Sequence, residues 1–405
     1  GIIFTLPLTL IGSVFLLLAN IPYKPVADWV ASMGWNEPLM QAFGATMGIM
    51  AIVACIGIAY VYAKNEGVEP LSAGVIALSI FVLTTNSYVI NADGVKVTDV
   101  IPKDWTSGKG MITAILIGLI VGLVYSWFIN KDIRIKMPAG VPEGVANSFS
   151  ALIPAAVLIT GAEFVYVFFK YVMDTTLIEF IYKMIQTPLQ GMTDSLGGVL
   201  LMGFIIPFLW WFGVHGATII GGIMGPILQS NTLDNGAIIT AGKELTLANG
   251  AHIVTQQFLD QFMTVTGSGM TIGLVVAMLF FAKSAQCKEL GKLAIVPGLF
   301  NINEPVLFGT PIVMNPFMAI PFIAMPMISG IILYFSIATG LVPPFNGVLV
   351  PWTTPPILSG LLVGGVRTAL LQAAILVLSF FVYLPFFKKA DAMNLENEKA
   401  AAGEN

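Results

Sequence analysis

Apolar stretches about as long as a bilayer is thick recur along this 405-residue chain from one end to the other. A helix needs about 20 mostly apolar residues to cross the hydrocarbon layer. Uncharged or nearly uncharged runs of that order occupy residues 2–21, 43–63, 70–90, 110–129, 149–169, 195–214, 267–282, 311–338 and 363–387, and a shorter glycine-rich run extends from Ala217 to Leu228. They predict an all-α polytopic membrane protein of ten crossings. Composition points the same way, with 57% hydrophobic and 10% charged residues, against about 25% charged in soluble domains. So few charges could not cover a water-facing surface, which excludes soluble, disordered and fibrous classes. A formal charge of −4 argues against nucleic acid as a partner. The first run has no basic leader and more runs follow it, so it reads as a membrane helix and not a signal peptide, with Gly1 marking a trimmed start.

Orientation follows from basic residues near the ends of the runs. Ten crossings place both termini on one side with ten lysines and arginines, against seven on the other. Both termini are therefore expected in the cytoplasm. Up to about residue 190 the runs are long and separated by polar loops, and the stretches Tyr23–Asn36 and Asp174–Leu189 carry charges at helical spacing suited to the interface. Beyond that point glycine and proline break the pattern repeatedly, and residues 297–356 hold 11 of the 24 prolines. Broken backbone survives within a bilayer only where protein buries it or it lines a wet cavity. The expected organisation is a scaffold and oligomerisation domain over 1–190, a substrate-binding and transport domain with re-entrant segments over 191–387, and a cytoplasmic tail over 388–405.

The chemistry-bearing residues are few. Between Leu293 and Phe387 the only charged side chains are Glu304 and Arg367. A lone carboxylate in such a stretch costs ~2.5–3.5 kcal/mol on insertion scales and usually faces a cavity or a partner. Glu304 precedes Pro305, which pushes it towards an extended or turning backbone, and Asn301 and Asn303 stand beside it. Carboxylate, amides and unpaired backbone suit a polyhydroxyl ligand, because each hydroxyl wants both a donor and an acceptor. The competing reading is a wetted connecting loop, which the apolar flanks disfavour. A second cluster, Trp210-Trp-Phe-Gly-Val-His215, offers an imidazole that titrates near neutral pH and indole faces for a sugar ring. A third, Pro343 to Pro356, is too proline-rich for a helix and too apolar for an ordinary loop. It reads as a re-entrant segment presenting Trp352. For both tryptophan-bearing clusters an interfacial anchor is an equal alternative. Glu163 is expected to pair across a helix or subunit interface, Arg367 to snorkel, His252 to be solvated and Cys55 to pack.

The Asn-Ile-Asn-Glu-Pro-Val-Leu-Phe-Gly motif at 301–309, with Gly-Val-His-Gly at 213–216, resembles the sugar-translocating subunit, enzyme IIC, of the bacterial phosphoenolpyruvate-dependent phosphotransferase system. The likeness spans essentially the whole chain and is nearest the lactose, cellobiose and N,N′-diacetylchitobiose branch. It implies a homodimer of ten-helix subunits in the cytoplasmic membrane, with two re-entrant hairpins, one bearing Glu304. It also implies a phosphorylated enzyme IIB partner on the cytoplasmic side, which carries phosphate on a cysteine and transfers it to the sugar's 6-hydroxyl. Neither Cys55 nor Cys287 sits in a phosphate cradle, so the donor belongs to another chain. No cofactor or metal is expected.

The expected site is thus His215 and Glu304 on the reacting hydroxyl, with His215, Asn301, Asn303, Glu304, Trp211 and Trp352 binding a β-linked disaccharide. Which of His215 and Glu304 accepts the proton is open, and His215 has the better-matched ordinary pKa. An ion-coupled secondary transporter, with Glu304 carrying a proton, is the alternative. An intramembrane enzyme is disfavoured because no nucleophile–base set is suitably spaced.

Overall fold

The computed structural model describes residues 5–19, 24–90, 94–138, 140–310 and 312–402. Gly1, Tyr23 and the end of the tail beyond 402, each named in the sequence readings above, lie outside these residues. Two compact units divide the chain, Gly1–Gln190 and Gly191–Asn405. Among the described residues five helices are long and apolar enough to cross a membrane, or up to six if broken spans are included. The apolar helices Pro70–Leu83 and Ile272–Phe281 are shorter. Length alone therefore does not give ten crossings.

In the first unit the helices Met50–Asn65, Pro70–Leu83 and Met111–Asn130 pack through small side chains. Ala51, Cys55, Ala59, Ala63, Ala73, Ala77 and Ala114 are all fully buried, which lets backbones approach closely where lipid supplies no hydrophobic drive. Both charge-bearing interface stretches contain helix, with Lys24–Ser32 in the first and Leu177–Ile181 followed by a π turn over Tyr182–Gln186 in the second. The loop after residue 83 holds a small antiparallel hairpin pairing Tyr88 with Thr98. Glu143–Tyr171 stands apart: only 6% of its most apolar window is buried, and Glu163 on it is exposed.

The second unit buries polar side chains within an apolar interior. Leu196–Trp211 packs along Pro316–Ala338, and Ile272–Phe281 along Val366–Ala402. The unit's fully buried amides and hydroxyls include Ser230, Asn231, Asn235, Gln257, Gln261, Ser329 and Gln372. The last helix runs unbroken to Ala402, so the expected tail is largely helical. Its Asp391 accepts from the Lys283 and Ser284 amides at 2.7 and 3.1 Å, and its Glu398 from Ala285 and Gln286 at 2.9 Å each. Two carboxylates thus satisfy the free amides that open the Ala285–Leu299 helix.

His252 is not a solvated side chain. Its Nδ1 lies 2.9 Å from Asp194 and its Nε2 3.4 Å from Asp234. Asp194 also accepts from the Ile253 and Val254 amides, at 2.9 and 2.6 Å. Burial of the ring would lower its pKa, but hydrogen bonds to Asp194 and Asp234 outweigh that and carry it up to about 9. A folded-state pKa above the ordinary value of 6.5 stabilises the fold fully below about pH 6.5 and progressively less as pH rises through 9. The thermal midpoint of the purified protein should therefore fall between pH 6.5 and 9. His252→Gln should lower the midpoint at pH 6 and flatten that slope; a variant with the parent's slope would assign the pH dependence to another group.

Candidate functional site

The Ala285–Leu299 helix carries Pro297 in its last turn and ends two residues later, where the amides of Phe300 and Ile302 fold back to the Pro297 carbonyl at 2.9 and 3.0 Å. Asn301 then enters the left-handed region, with φ of +65°, a conformation asparagine tolerates better than most residues. Its buried amide bonds backbone at both ends. Oδ1 accepts from the Thr266 amide at 2.5 Å, while Nδ2 donates to the carbonyls of Trp352 and Thr354, the latter at 3.0 Å. Asn303 is also buried, and its Nδ2 donates to Ser268 O at 2.7 Å and to Thr271 Oγ1 at 3.1 Å. The facing loop comes close enough that a Cβ on Gly267, itself at φ of +91°, would lie 2.2 Å from Asn303 Cγ. Only glycine allows both that backbone and that approach.

Glu304 departs from the extended backbone expected of a residue before proline. It is the first residue of a short helix, Glu304–Gly309, with Pro305 in the first turn, where its missing N–H costs nothing. Its side chain is half-buried and, among the described residues, makes no hydrogen bond or ion pair. A half-buried carboxylate without a protein partner among the described residues therefore directly follows Asn303 in the chain.

The proline-rich segment is neither helix nor strand from Pro343 to Val350, and beyond it only turns lead to the Leu358–Gly364 helix. Its backbone is satisfied from neighbouring elements. Asn235 donates to Phe345 O at 2.8 Å, Gln257 accepts from the Val350 amide at 3.2 Å, and Gln261 donates to Pro351 O at 3.2 Å. Trp352, held through its carbonyl by Asn301, exposes 57% of its surface. Asn301, Asn303, Glu304 and Trp352 thus belong to one neighbourhood with the 264–271 loop.

His215 caps the Gly216–Thr240 helix. Its Nδ1 accepts from the Thr218 amide at 3.1 Å and lies 2.8 Å from the Thr218 hydroxyl. The exposed ring rests against buried Trp210, with centroids 4.3 Å apart. Trp211 is half-buried and donates its Nε1–H to Asn315 O at 3.0 Å, so its polar edge serves the fold. Among the described residues no hydrogen bond or ion pair joins His215 to Glu304. The loop at 264–271, the Asn315 anchor and the amides of Gln257 and Gln261 were not legible in the sequence. Their one signal is the presence of amide side chains between strongly apolar runs.

Comparison with known proteins is decisive for the family. The family model for the phosphotransferase system EIIC component matches residues 1–326. The chain belongs to that family. It is 38% identical over 410 residues to the cellobiose-specific EIIC component of Geobacillus stearothermophilus, covering 99% of this chain and 90% of the relative. With the oligo-beta-mannoside-specific EIIC component of Bacillus subtilis (strain 168) it shares 37% identity over 399 residues, 98% of this chain and 89% of that one. The crystal structure of the transporter ChbC, the IIC component of an N,N′-diacetylchitobiose-specific phosphotransferase system, superposes with a TM-score of 0.93 at 37% identity, over 98% of this chain and 94% of that chain. This EIIC is thus a multi-pass membrane protein and the sugar-transporting subunit of a phosphotransferase system, as the Asn-Glu-Pro motif implied.

Proposed function

We propose that this EIIC binds a β-linked disaccharide between the Asn303–Glu304 turn and the Trp352 segment, and presents its 6-hydroxyl to a phosphorylated enzyme IIB. The observation that carries this is Glu304: a half-buried carboxylate without a protein partner, at the point where the apolar sequence is broken. Cellobiose, oligo-β-mannoside and diacetylchitobiose, which the relatives' names specify, share the β linkage and support that substrate class. Asn303 keeps its carbonyl oxygen for a hydroxyl, and the exposed Trp352 ring offers an apolar face. Asn301, whose two Nδ2 hydrogens go to backbone carbonyls and whose Oδ1 accepts from the Thr266 amide, supports the site by holding backbone.

The capping geometry divides the labour between the two reactive candidates. With Nδ1 of His215 accepting from an amide N–H, the neutral ring carries its hydrogen on Nε2. It therefore donates to the sugar through Nε2–H, while its one basic nitrogen, Nδ1, is committed to the helix cap and is not free to take the sugar's proton. Glu304 is left as the acceptor. In transfer, the 6-hydroxyl oxygen attacks phosphorus, its proton passes to Glu304, and the phosphorus–sulfur bond of the partner breaks to leave a thiolate. Both cysteines here are buried, consistent with a donor on another chain. The first unit is the dimerisation half: the exposed Glu163, the one charge within residues 149–169 of a helix that is largely unburied, calls for a second subunit in place of lipid. Ten crossings with both termini in the cytoplasm complete the arrangement.

Three outcomes test this. Glu304→Gln should weaken disaccharide binding about 10- to 150-fold, the worth of a hydrogen bond to a charged group, and reduce phosphoryl transfer in a reconstituted assay by considerably more. Binding like the parent would remove Glu304 from the pocket. His215→Asn, which keeps a capping side chain, should lower binding and transfer in similar proportion; a selective loss of transfer would return the proton-acceptor role to histidine. Finally, single cysteines placed along Glu143–Tyr171 should crosslink solubilised protein into dimers, whereas crosslinks only through the second unit would overturn the assignment of the interface.

A further inference from the structure

We propose that Gln372 is a positioning residue that sets where the Trp352 ring is presented, and so helps determine which sugars are accepted. The inference rests on the reading that Trp352 meets the sugar. Gln372 lies on the last long helix and is fully buried. Its Oε1 accepts from the amides of Ile357 at 2.5 Å and Gly360 at 3.1 Å. Its Nε2 donates to Gln261 O at 2.6 Å and to Ser359 Oγ at 3.0 Å. A carboxamide offers two donor hydrogens and two acceptor lone pairs. All four are spent within the protein, so Gln372 has nothing left with which to bind a ligand.

What it holds is a backbone that would not stay in place unaided. Ile357 has φ of +71° and ψ of −48°, and a β-branched residue rarely adopts positive φ. Such backbone persists only where surrounding structure over-determines it. Two groups meet that need. Gln372 grips the amide of Ile357 itself and, through Gly360, the first turn of the following helix; a Cβ at Gly360 would come within 2.7 Å of Gln372 Oε1. At the other end of the stretch Asn301 grips the carbonyls of Trp352 and Thr354, and Gln261 that of Pro351. Gln372 also bonds the carbonyl of Gln261, so one amide ties together both ends of residues 351–357. Three prolines, Pro351, Pro355 and Pro356, keep the stretch stiff, and a displacement at Ile357 is passed on to Trp352 instead of being absorbed between them.

The test uses Gln372→Met, which keeps the length and loses every hydrogen bond, and Gln372→Asn, which keeps the amide but withdraws it by one methylene and guards against a variant that does not fold. A nitroxide is attached at Thr353→Cys in a Cys55→Ala, Cys287→Ala background. Its spectrum should show faster motion in both Gln372 variants than in the parent. An unchanged spectrum in the folded variants would overturn the proposal whatever binding does. Equilibrium binding of cellobiose and diacetylchitobiose supplies the second readout. Gln372→Met should weaken binding about tenfold and change the ratio between the two sugars. In a Trp352→Ala background the same substitution should cost less than twofold, because the ring it positions is gone. A full tenfold loss there would make Gln372 a general structural residue and overturn the positioning role. If Trp352→Ala alone binds both sugars like the parent, the stacking reading fails separately. The label then decides: mobility confined to the Gln372 variants still assigns the tether, and its absence removes it.

Discussion

A polypeptide backbone inside a bilayer must find a hydrogen-bond partner for every N–H and C=O, because lipid offers none. In most of this chain helices meet that demand internally. The second unit cannot use that solution throughout, since prolines and positive-φ residues break the ladder at 297–305 and again at 343–357. Side-chain amides take over there. Asn235, Gln257, Gln261, Asn301, Asn303 and Gln372 each reach a backbone or hydroxyl group of an irregular segment, and all are almost completely buried. Elsewhere a buried amide is an expense; here it replaces the partner that helical geometry would have provided.

Charged groups have a different task. Asp391 and Glu398 cap the helix that leads to Asn301, and Asp194 with Asp234 brackets His252 on the segment that leads to the π turn over Leu259–Met263. Both sets secure the ends of elements whose middles are irregular. The Asn301–Glu304 turn is consequently held from several directions, by the capped helix before it, the 264–271 loop against it and the proline-rich segment across it. Within that turn the Glu304 side chain makes no hydrogen bond or ion pair among the described residues, whereas Asn301 and Asn303 both do. A carboxylate without a protein partner is costly to retain in such surroundings, and a ligand that brings hydroxyl donors relieves that cost.

The roles proposed for His215 and Glu304 likewise come from local geometry. Both are residue types able to accept a proton, and ordinary pKa values favour the histidine. A single capping contact, Thr218 N–H to Nδ1, reverses that preference by committing one ring nitrogen to the helix. Family membership leaves such a detail undecided, because it depends on how one turn is capped.

The sequence by itself determined the membrane class, the helical fold, the change of character near residue 190 and the enzyme IIC family. These follow from hydrophobic length, charge scarcity, proline placement and a short motif, all of which are properties of contiguous residues. It also singled out Glu304, because an isolated charge is conspicuous in an apolar stretch. Only the tertiary structure decided that Asn301 serves the backbone while its neighbour Glu304 stays unengaged, that Trp211 is anchored while Trp352 is exposed, and that His252 is clasped between two aspartates. Gln261 and Gln372 gained meaning in the same way, each meeting backbone some 90 to 111 residues away in sequence. The physical reason is that an amide's or an imidazole's role is set by which partners the fold brings within about 3 Å, and no pattern along the chain encodes that distance.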